Sequence, residues 1–238
     1  MTPSPRKAPK YDMLFGGGTF NATLLIGPDP MGANYDYSVF FGARLKLQKI
    51  GLKLTESRGG FEVYEALFDY NNTTVRARIR LVHGRNFFGD LMELWGDTLA
   101  NEDMVYLKTH AGYGKHLSLS EDVSFFTDAM KEGLDSHDRK PYQLYYLDCC
   151  KSEMYYRDVF RDYVGHDGVD LILHKWFCNY MIIGPVAVLI RELMGGSGFP
   201  TIIDEMNEEY GTVHVDVEDT PEDLMQDRKM VTYSLSGE

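Results

Sequence analysis

The stretch YQLYYLDCCKSEMYY, residues 142–156, joins an apolar run to the beginning of a polar, periodic segment. Residues 142–147 are nearly all apolar or aromatic, which predicts a buried strand. Residues 152–164 have helical spacing. Two of the three cysteines in the chain, Cys149 and Cys150, lie between these two elements. Because the N-terminus of a helix lowers the pKa of a nearby thiol, this junction is a candidate site for thiolate chemistry.

Strands and helices alternate outward from this junction. The predicted strands cover residues 22–26, 52–54, 75–83, 104–110, 142–147, 170–174 and 212–217. The predicted helices cover residues 37–48, 87–99, 118–134, 152–164, 185–194 and 200–210. Strands that are apolar on both faces and separated by helices are typical of a mostly parallel sheet between helical layers. We therefore expect an α/β fold, a three-layer α-β-α sandwich with a mostly parallel central sheet.

The chain has 238 residues, 44% of them apolar, which is enough for one sizeable core. We expect a single α/β domain over residues 19–217, because no linker-like segment divides it. Residues 1–18 end in three glycines and are predicted to form a flexible N-terminal lead. Residues 218–238 are predicted to be an acidic C-terminal tail, in which MVTYSL could add an edge strand.

Charge and composition narrow the classes of partner. The net charge of −12 argues against binding to nucleic acid or to an anionic membrane. No apolar run is long enough to span a membrane, and no hydrophobic signal segment follows MTPSPRKAPK. Three cysteines cannot build a disulfide framework, so free thiols and a cytoplasmic location are expected, or export if a signal peptide has been removed. The glycines at 16–18 match neither GxGxxG nor a P-loop, and we expect no cofactor.

His110 is the residue that gives the cysteine pair a partner. It ends the predicted strand before the one that leads to Cys150, and one helix joins the two strands. Such a βαβ unit is right-handed and places both carboxyl ends at one edge of the sheet, where ligands of open α/β sheets bind. Imidazole and thiol then lie close together, as nucleophilic acyl transfer requires.

Three other interpretations of these residues remain open. Both cysteines could be buried structural thiols, which is common for this residue type. Cys149 and Cys150 could join His110 and His116 in a zinc site, but the CxxC spacing typical of such sites is missing, and we expect no metal. A vicinal redox couple is disfavoured for the same reason.

Two blocks of the sequence, residues 103–114 and 142–154, resemble the caspase-like (clan CD) cysteine peptidases, which include caspases, metacaspases, gingipains, clostripain and separase. In these peptidases, as in this chain, one apolar strand ends in His. About forty residues later, another apolar strand ends in Asp-x-Cys-x-Ser. The nearest local match is the metacaspase block Asp-Cys-Cys-His-Ser-Gly. The chain has DCCKSE at 148–153, with Lys and Glu in place of His and Gly, and HAG at 110–112 in place of the family's His-Gly.

The resemblance implies a caspase-like fold and a cysteine endopeptidase that acts on a peptide or protein substrate through a thioester acyl-enzyme. Cys150 would be the nucleophile, His110 would relay protons, and the backbone amides of Ala111 and Cys150 would form the oxyanion hole. Asp148 would bind the substrate in an acidic S1 pocket, favouring cleavage after basic residues. A capping role for Asp148 at the following helix remains an alternative.

The departures from the family motif support a second hypothesis, a catalytically inactive caspase-like homologue that acts as a binding or regulatory module. A third hypothesis is another α/β enzyme with a cysteine nucleophile, such as an amidase or acyltransferase. The sequence makes no prediction about the oligomeric state.

Overall fold

The structure is a computed structural model that describes residues 7–28, 35–87, 91–110, 140–164, 168–211 and 230–234. Its described helices are α1 (Tyr11–Phe15), α2 (Tyr35–Lys49), α3 (Leu91–Asn101), α4 (Ser152–Val164), α5 (Gly184–Met194) and α6 (Phe199–Gly211). Its described strands are β1 (Thr19–Ile26), β2 (Lys53–Arg58), β3 (Phe61–Tyr70), β4 (Thr73–His83), β5 (Met104–Lys108), β6 (Gln143–Asp148), β7 (Val169–His174) and β8 (Met230–Ser234). Within these residues, no helix is long and apolar enough to cross a membrane.

One eight-stranded sheet organises the described part of the chain, in the order β2-β3-β4-β1-β5-β6-β7-β8. The five central strands, β4, β1, β5, β6 and β7, run parallel. The hairpin of β2 and β3 adds antiparallel strands at one edge, and β8 pairs antiparallel with β7 at the other. The predicted mostly parallel sheet of an α/β fold is therefore confirmed.

Helices cover both faces of the sheet. The strands β5, β6 and β7 are therefore buried at every position. Helices α1, α2, α5 and α6 pack on one face, which also carries Tyr106 and Tyr146. Helices α3 and α4 pack on the other face, through Trp95 and Phe160 among others. Strands that are buried on both faces cannot show polar alternation, which explains the continuous apolar runs in the sequence.

The ends of the predicted domain need correction. Helix α1 lies inside the predicted flexible lead, yet Leu14 and Phe15 are buried in the core, so residues 11–18 belong to the domain. The apolar spacing of these residues is too short to give a helical signal by itself. Strand β8 lies inside the predicted tail, and the edge strand suggested by MVTYSL is confirmed.

Strand β3 is the main element that the sequence analysis missed. Buried and exposed residues are mixed along β3, because the half of the strand next to the hairpin turn is more exposed than the other half. Asn71 and Asn72 have positive φ angles of 48° and 62° and form the two-residue turn to β4, as in hairpins with primed turns. The predicted helix at 118–134 and strand at 212–217 lie outside the described residues.

Candidate active site

The carboxyl ends of the parallel strands β5, β6 and β7 lie side by side at one edge of the sheet. Lys108 at the end of β5 pairs in register with Asp148 at the end of β6. His174 ends β7, one residue beyond the registered pair Leu147 and Leu173. Side chains of neighbouring strands in register point to the same face. The three strand ends therefore bring an ammonium, a carboxylate and an imidazole together.

These three side chains form a buried ionic cluster. The Lys108 Nζ lies 2.9 Å and the His174 Nε2 3.0 Å from Oδ1 of Asp148. The other carboxylate oxygen accepts a hydrogen bond of 2.8 Å from the Tyr106 hydroxyl. The Tyr146 hydroxyl lies 3.3 Å from His174 Nε2. All five residues are 1% exposed or less. The partners are needed because an unpaired charge at this depth is unstable.

The cluster fixes the charge of Asp148. Burial by itself raises the pKa of this carboxyl group, but the positive charge of Lys108 and the hydrogen bond from His174 outweigh it and lower the pKa to about 2. The carboxylate of Asp148, which was predicted to bind substrate in an S1 pocket, is thus buried and paired with Lys108 and His174.

Cys150 lies beyond the end of β6, partly exposed and two residues before α4. Its thiol contacts Cys178, in the segment of residues 175–183 that follows β7. The two Sγ atoms are 4.0 Å apart, the Cys178 backbone N–H donates to the Cys150 Sγ at 3.4 Å, and the Cys178 carbonyl oxygen lies 3.6 Å from it. The candidate nucleophile is thus surrounded by donors and acceptors of a single residue.

The contacts with the thiol and the N–H of Cys178 favour the thiolate of Cys150, whereas the Cys178 carbonyl oxygen can accept a hydrogen bond only from the thiol form. The hydrogen bond with the Cys178 thiol has the largest effect, burial opposes it, and the Cys178 N–H, His174 and Lys108 add to it. Together they lower the pKa of Cys150 to about 6. The same interaction raises the pKa of Cys178, so Cys150 ionises before Cys178. A partly exposed thiolate near neutral pH has the properties of a reactive cysteine.

Cys149 has the opposite environment. Its side chain is fully buried and packs in the core on the α3 and α4 face of the sheet. Burial is the largest of the effects that raise its pKa well above the ordinary value for cysteine. The two adjacent thiols therefore lie in different surroundings, and Cys150 is the one whose pKa is lowered.

His110 follows the end of β5 by two residues and is half-buried. Its ring stacks on the ring of Tyr180, with centroids 5.0 Å apart and planes 12° from parallel. The Tyr180 hydroxyl donates a hydrogen bond of 2.8 Å to the carbonyl oxygen of Gly27, at the end of β1. The imidazole is therefore held at the same edge of the sheet as Cys150, by a tyrosine that is itself anchored to a neighbouring strand.

The segment of residues 175–183 connects the two candidate catalytic residues. Cys178 contacts Cys150, and Tyr180 stacks on His110. Between them, the Asn179 carbonyl oxygen accepts a hydrogen bond of 3.0 Å from the Lys108 Nζ. This segment was not predicted from the sequence to be part of the site. The available signal was the third cysteine of the chain, which lies just after a predicted buried strand whose end faces the same edge.

The turn between β6 and α4 is backed by the same segment. Lys151 has a positive φ of 53°, which is uncommon for a residue with a side chain. Its backbone N–H donates a hydrogen bond of 2.7 Å to the Trp176 carbonyl oxygen. Its Nζ lies 4.7 Å above the ring of Phe177. These contacts stabilise the strained turn and hold Cys150 against residues 176–178.

The remaining members of the sequence hypotheses lie outside this geometry. Ala111, which was predicted to supply an oxyanion-hole amide, and His116, considered as a zinc ligand, are both outside the described residues. Among the described residues, no three His, Cys, Asp or Glu side chains are arranged to hold a metal ion. The described residues at this edge include a thiol of lowered pKa, an imidazole and a buried ionic cluster.

A search of protein-family models and a search of curated proteins found no match to this chain.

Proposed function

We propose that this protein is a cysteine hydrolase that cleaves peptide or related acyl bonds, with Cys150 as nucleophile and His110 as general acid and base. One observation carries the proposal. Cys150 is a partly exposed thiol with a pKa lowered to about 6, and it follows the strand next to the one that leads to His110. A lowered pKa at a ligand-binding edge of an α/β sheet is typical of functional residues.

The reaction would follow the general course of thiol acyl transfer. The Cys150 thiolate attacks the carbonyl carbon of the substrate, and a C–S bond forms. The C–N bond then breaks, and the departing amine takes a proton from the His110 imidazolium. Water, deprotonated by His110, attacks the thioester, releases the acid and regenerates the thiolate. The backbone amides of Ala111 and Cys150 are the proposed donors to the oxyanion.

A caspase-like peptidase is the finer form of this proposal. Support comes from the DCCKSE and HAG motifs together with their context, because both follow the carboxyl ends of neighbouring parallel strands. The ends of β5 and β6 pair in register through Lys108 and Asp148, which brings the two following segments close to each other. The proposal includes no preference for basic residues at P1, because Asp148 is paired with Lys108.

The second candidate function is that of a caspase-like homologue that binds a partner without cleaving it. It is favoured by the contacts around Cys150, since Cys178 places its N–H, its carbonyl oxygen and its thiol around the sulfur. It is also favoured by Lys151 and Glu153, which replace the His and Gly of the metacaspase block. Under this hypothesis the cysteine is held but does not reach a substrate.

Peptide hydrolysis by matched variants tests the proposal. Fluorogenic peptides with Arg, Lys, Asp or Leu at P1 would be incubated with the wild-type chain, Cys150→Ala and Cys149→Ala. We expect turnover by the wild type, loss of turnover in Cys150→Ala, and turnover close to wild type in Cys149→Ala. The last variant is the control because Cys149 lies in the neighbouring position but in the opposite core.

The role of His110 is tested by His110→Asn, which removes proton transfer but leaves a planar polar group. We expect kcat to fall at least about 100-fold, the contribution typical of general acid–base catalysis. Activity that persists in Cys150→Ala would refute the proposed nucleophile. Absence of turnover on all four peptides, with normal alkylation of Cys150, would favour the binding homologue.

A further inference from the structure

Cys150 and Cys178 form a close pair of free thiols at the carboxyl edge of the sheet. Their Sγ atoms are 4.0 Å apart, although the residues are 28 positions apart in the chain. All three cysteines are free thiols. A disulfide needs a sulfur–sulfur distance of about 2.05 Å, so the two sulfurs would have to approach by roughly 2 Å. We expect a local adjustment of the two side chains and of the segment that carries Cys178 to close this gap.

The two backbones are already held against each other beside the thiols. The Lys151 N–H donates 2.7 Å to the Trp176 carbonyl oxygen, and the Cys178 N–H donates 3.4 Å to the Cys150 sulfur. One contact thus lies on the residue after Cys150, and the other involves Cys150 itself. The segments meet without a covalent link, so a disulfide would join positions that the fold has already brought together.

We propose that Cys150 is a site of oxidation by peroxides and that Cys178 converts the oxidised sulfur into a reversible intramolecular disulfide. The thiolate character of Cys150 supports this, because thiolates are the species that react with peroxides. Cys149 is an unsuitable partner. It is fully buried in the opposite core, and adjacent cysteines do not fit the usual geometry of a disulfide.

The chemistry balances with hydrogen peroxide as the oxidant. The Cys150 thiolate attacks one peroxide oxygen, an S–O bond forms, the O–O bond breaks, and the hydroxide that leaves takes a proton to become water. The product is a sulfenic acid at Cys150. The Cys178 sulfur then attacks the Cys150 sulfur, and the hydroxyl group leaves with the Cys178 proton as a second water. Two thiols have lost two electrons and two protons, and a dithiol reductant reverses the change.

The inference goes beyond the proposed hydrolase function and does not depend on it. Disulfide formation requires only a reactive Cys150 and a nearby Cys178. If Cys150 is also the nucleophile of a hydrolase, the disulfide would block catalysis reversibly and would protect the sulfur from further oxidation. The two proposals can therefore fail separately.

Peptide mapping after peroxide treatment tests the pair. The protein is treated with a small molar excess of hydrogen peroxide, the remaining thiols are blocked with iodoacetamide, and a tryptic digest is analysed without reduction. Trypsin separates residues 140–151 from residues 176–191, so a disulfide would link these two peptides. Because Cys149 and Cys150 share the first peptide, the assay is repeated on Cys149→Ala, in which only Cys150 can form the link.

We expect the linked peptide, with the mass of two lost hydrogens, in the wild type and in Cys149→Ala, and we expect dithiothreitol to remove it. In Cys178→Ser the same treatment should convert Cys150 to sulfinic acid, and dithiothreitol should restore little iodoacetamide reactivity at that residue. Circular dichroism of each variant verifies that the chain is folded.

Three results would overturn the inference. These are a link between Cys149 and Cys150, a link found only between two molecules, and a wild-type Cys150 that stays reduced or becomes sulfinic acid as fast as in Cys178→Ser. A chain that forms the Cys150–Cys178 link but hydrolyses no peptide would contradict only the hydrolase proposal. A chain that hydrolyses peptides but forms no link would contradict only the oxidation proposal.

Discussion

Replacing Cys178 with alanine should raise the pKa of Cys150. The variant removes the thiol 4.0 Å from the Cys150 sulfur, which has the largest effect on the lowered pKa, and leaves the backbone N–H at 3.4 Å. A hydrogen bond to a charged group contributes about 1.5–3 kcal/mol, but an S–H group is a weak donor. We therefore expect a loss of about 1.4 kcal/mol, which is about one pKa unit.

The assay is the rate of iodoacetamide alkylation of Cys150 as a function of pH, with the modified residue identified by mass spectrometry. The wild-type profile should have its midpoint near the pKa of about 6. The Cys178→Ala profile should have its midpoint at about pH 7, one unit higher. A less acidic thiolate is also a stronger nucleophile, so the plateau rate of the variant should be roughly threefold higher. The midpoint, and not the rate at a single pH, is therefore the quantity to compare.

Cys149→Ala is the matched control, since it removes a neighbouring thiol that lies in the opposite core. Its midpoint should equal that of the wild type. The reasoning is refuted if the midpoint of Cys178→Ala does not move, or if Cys149→Ala moves it by as much. Either result would mean that contact with Cys178 does not determine the ionisation of Cys150.

Three further predictions concern the surroundings of the site. Lys108→Met should lower the free energy of unfolding in urea by about 3–5 kcal/mol, because it leaves the buried carboxylate of Asp148 without its ammonium partner. Adding Asp148→Asn to that variant should recover part of the loss, and no recovery would contradict the importance of the pair. Tyr180→Ala should lower peptide turnover by removing the ring stacked on His110, whereas Tyr180→Phe keeps the ring and should retain most of the turnover; equal effects would argue against positioning by the stack. His83 is 2% exposed and burial lowers its pKa, so the unfolded chain binds its proton first and stability should fall as pH drops below about 6.5. In His83→Gln the urea midpoint should depend less on pH in this range, and an unchanged dependence would exclude His83 as its source.

The sequence by itself determined the class of fold and the edge of the sheet that matters. Apolar runs such as those of β5, β6 and β7 are long enough and continuous enough to be recognised, because strands that are buried on both faces have no polar alternation. The order of strands and helices then implied parallel strands, and parallel strands place their carboxyl ends together. From the sequence, Cys150 was preferred to Cys149 only because of the resemblance to caspase-like peptidases. In the structure, the two thiols differ physically because their surroundings differ.

Only the tertiary structure decided what each strand-end residue contacts. Asp148 has a buried lysine beside it because the register of β5 and β6 aligns the two residues, and no local pattern reveals a register between separate strands. Cys178 meets Cys150 because the segment after β7 turns back over the end of β6, a long-range contact between residues 28 positions apart. Local sequence determines which elements form, but the ionisation of a thiol depends on atoms that the fold brings together from distant parts of the chain.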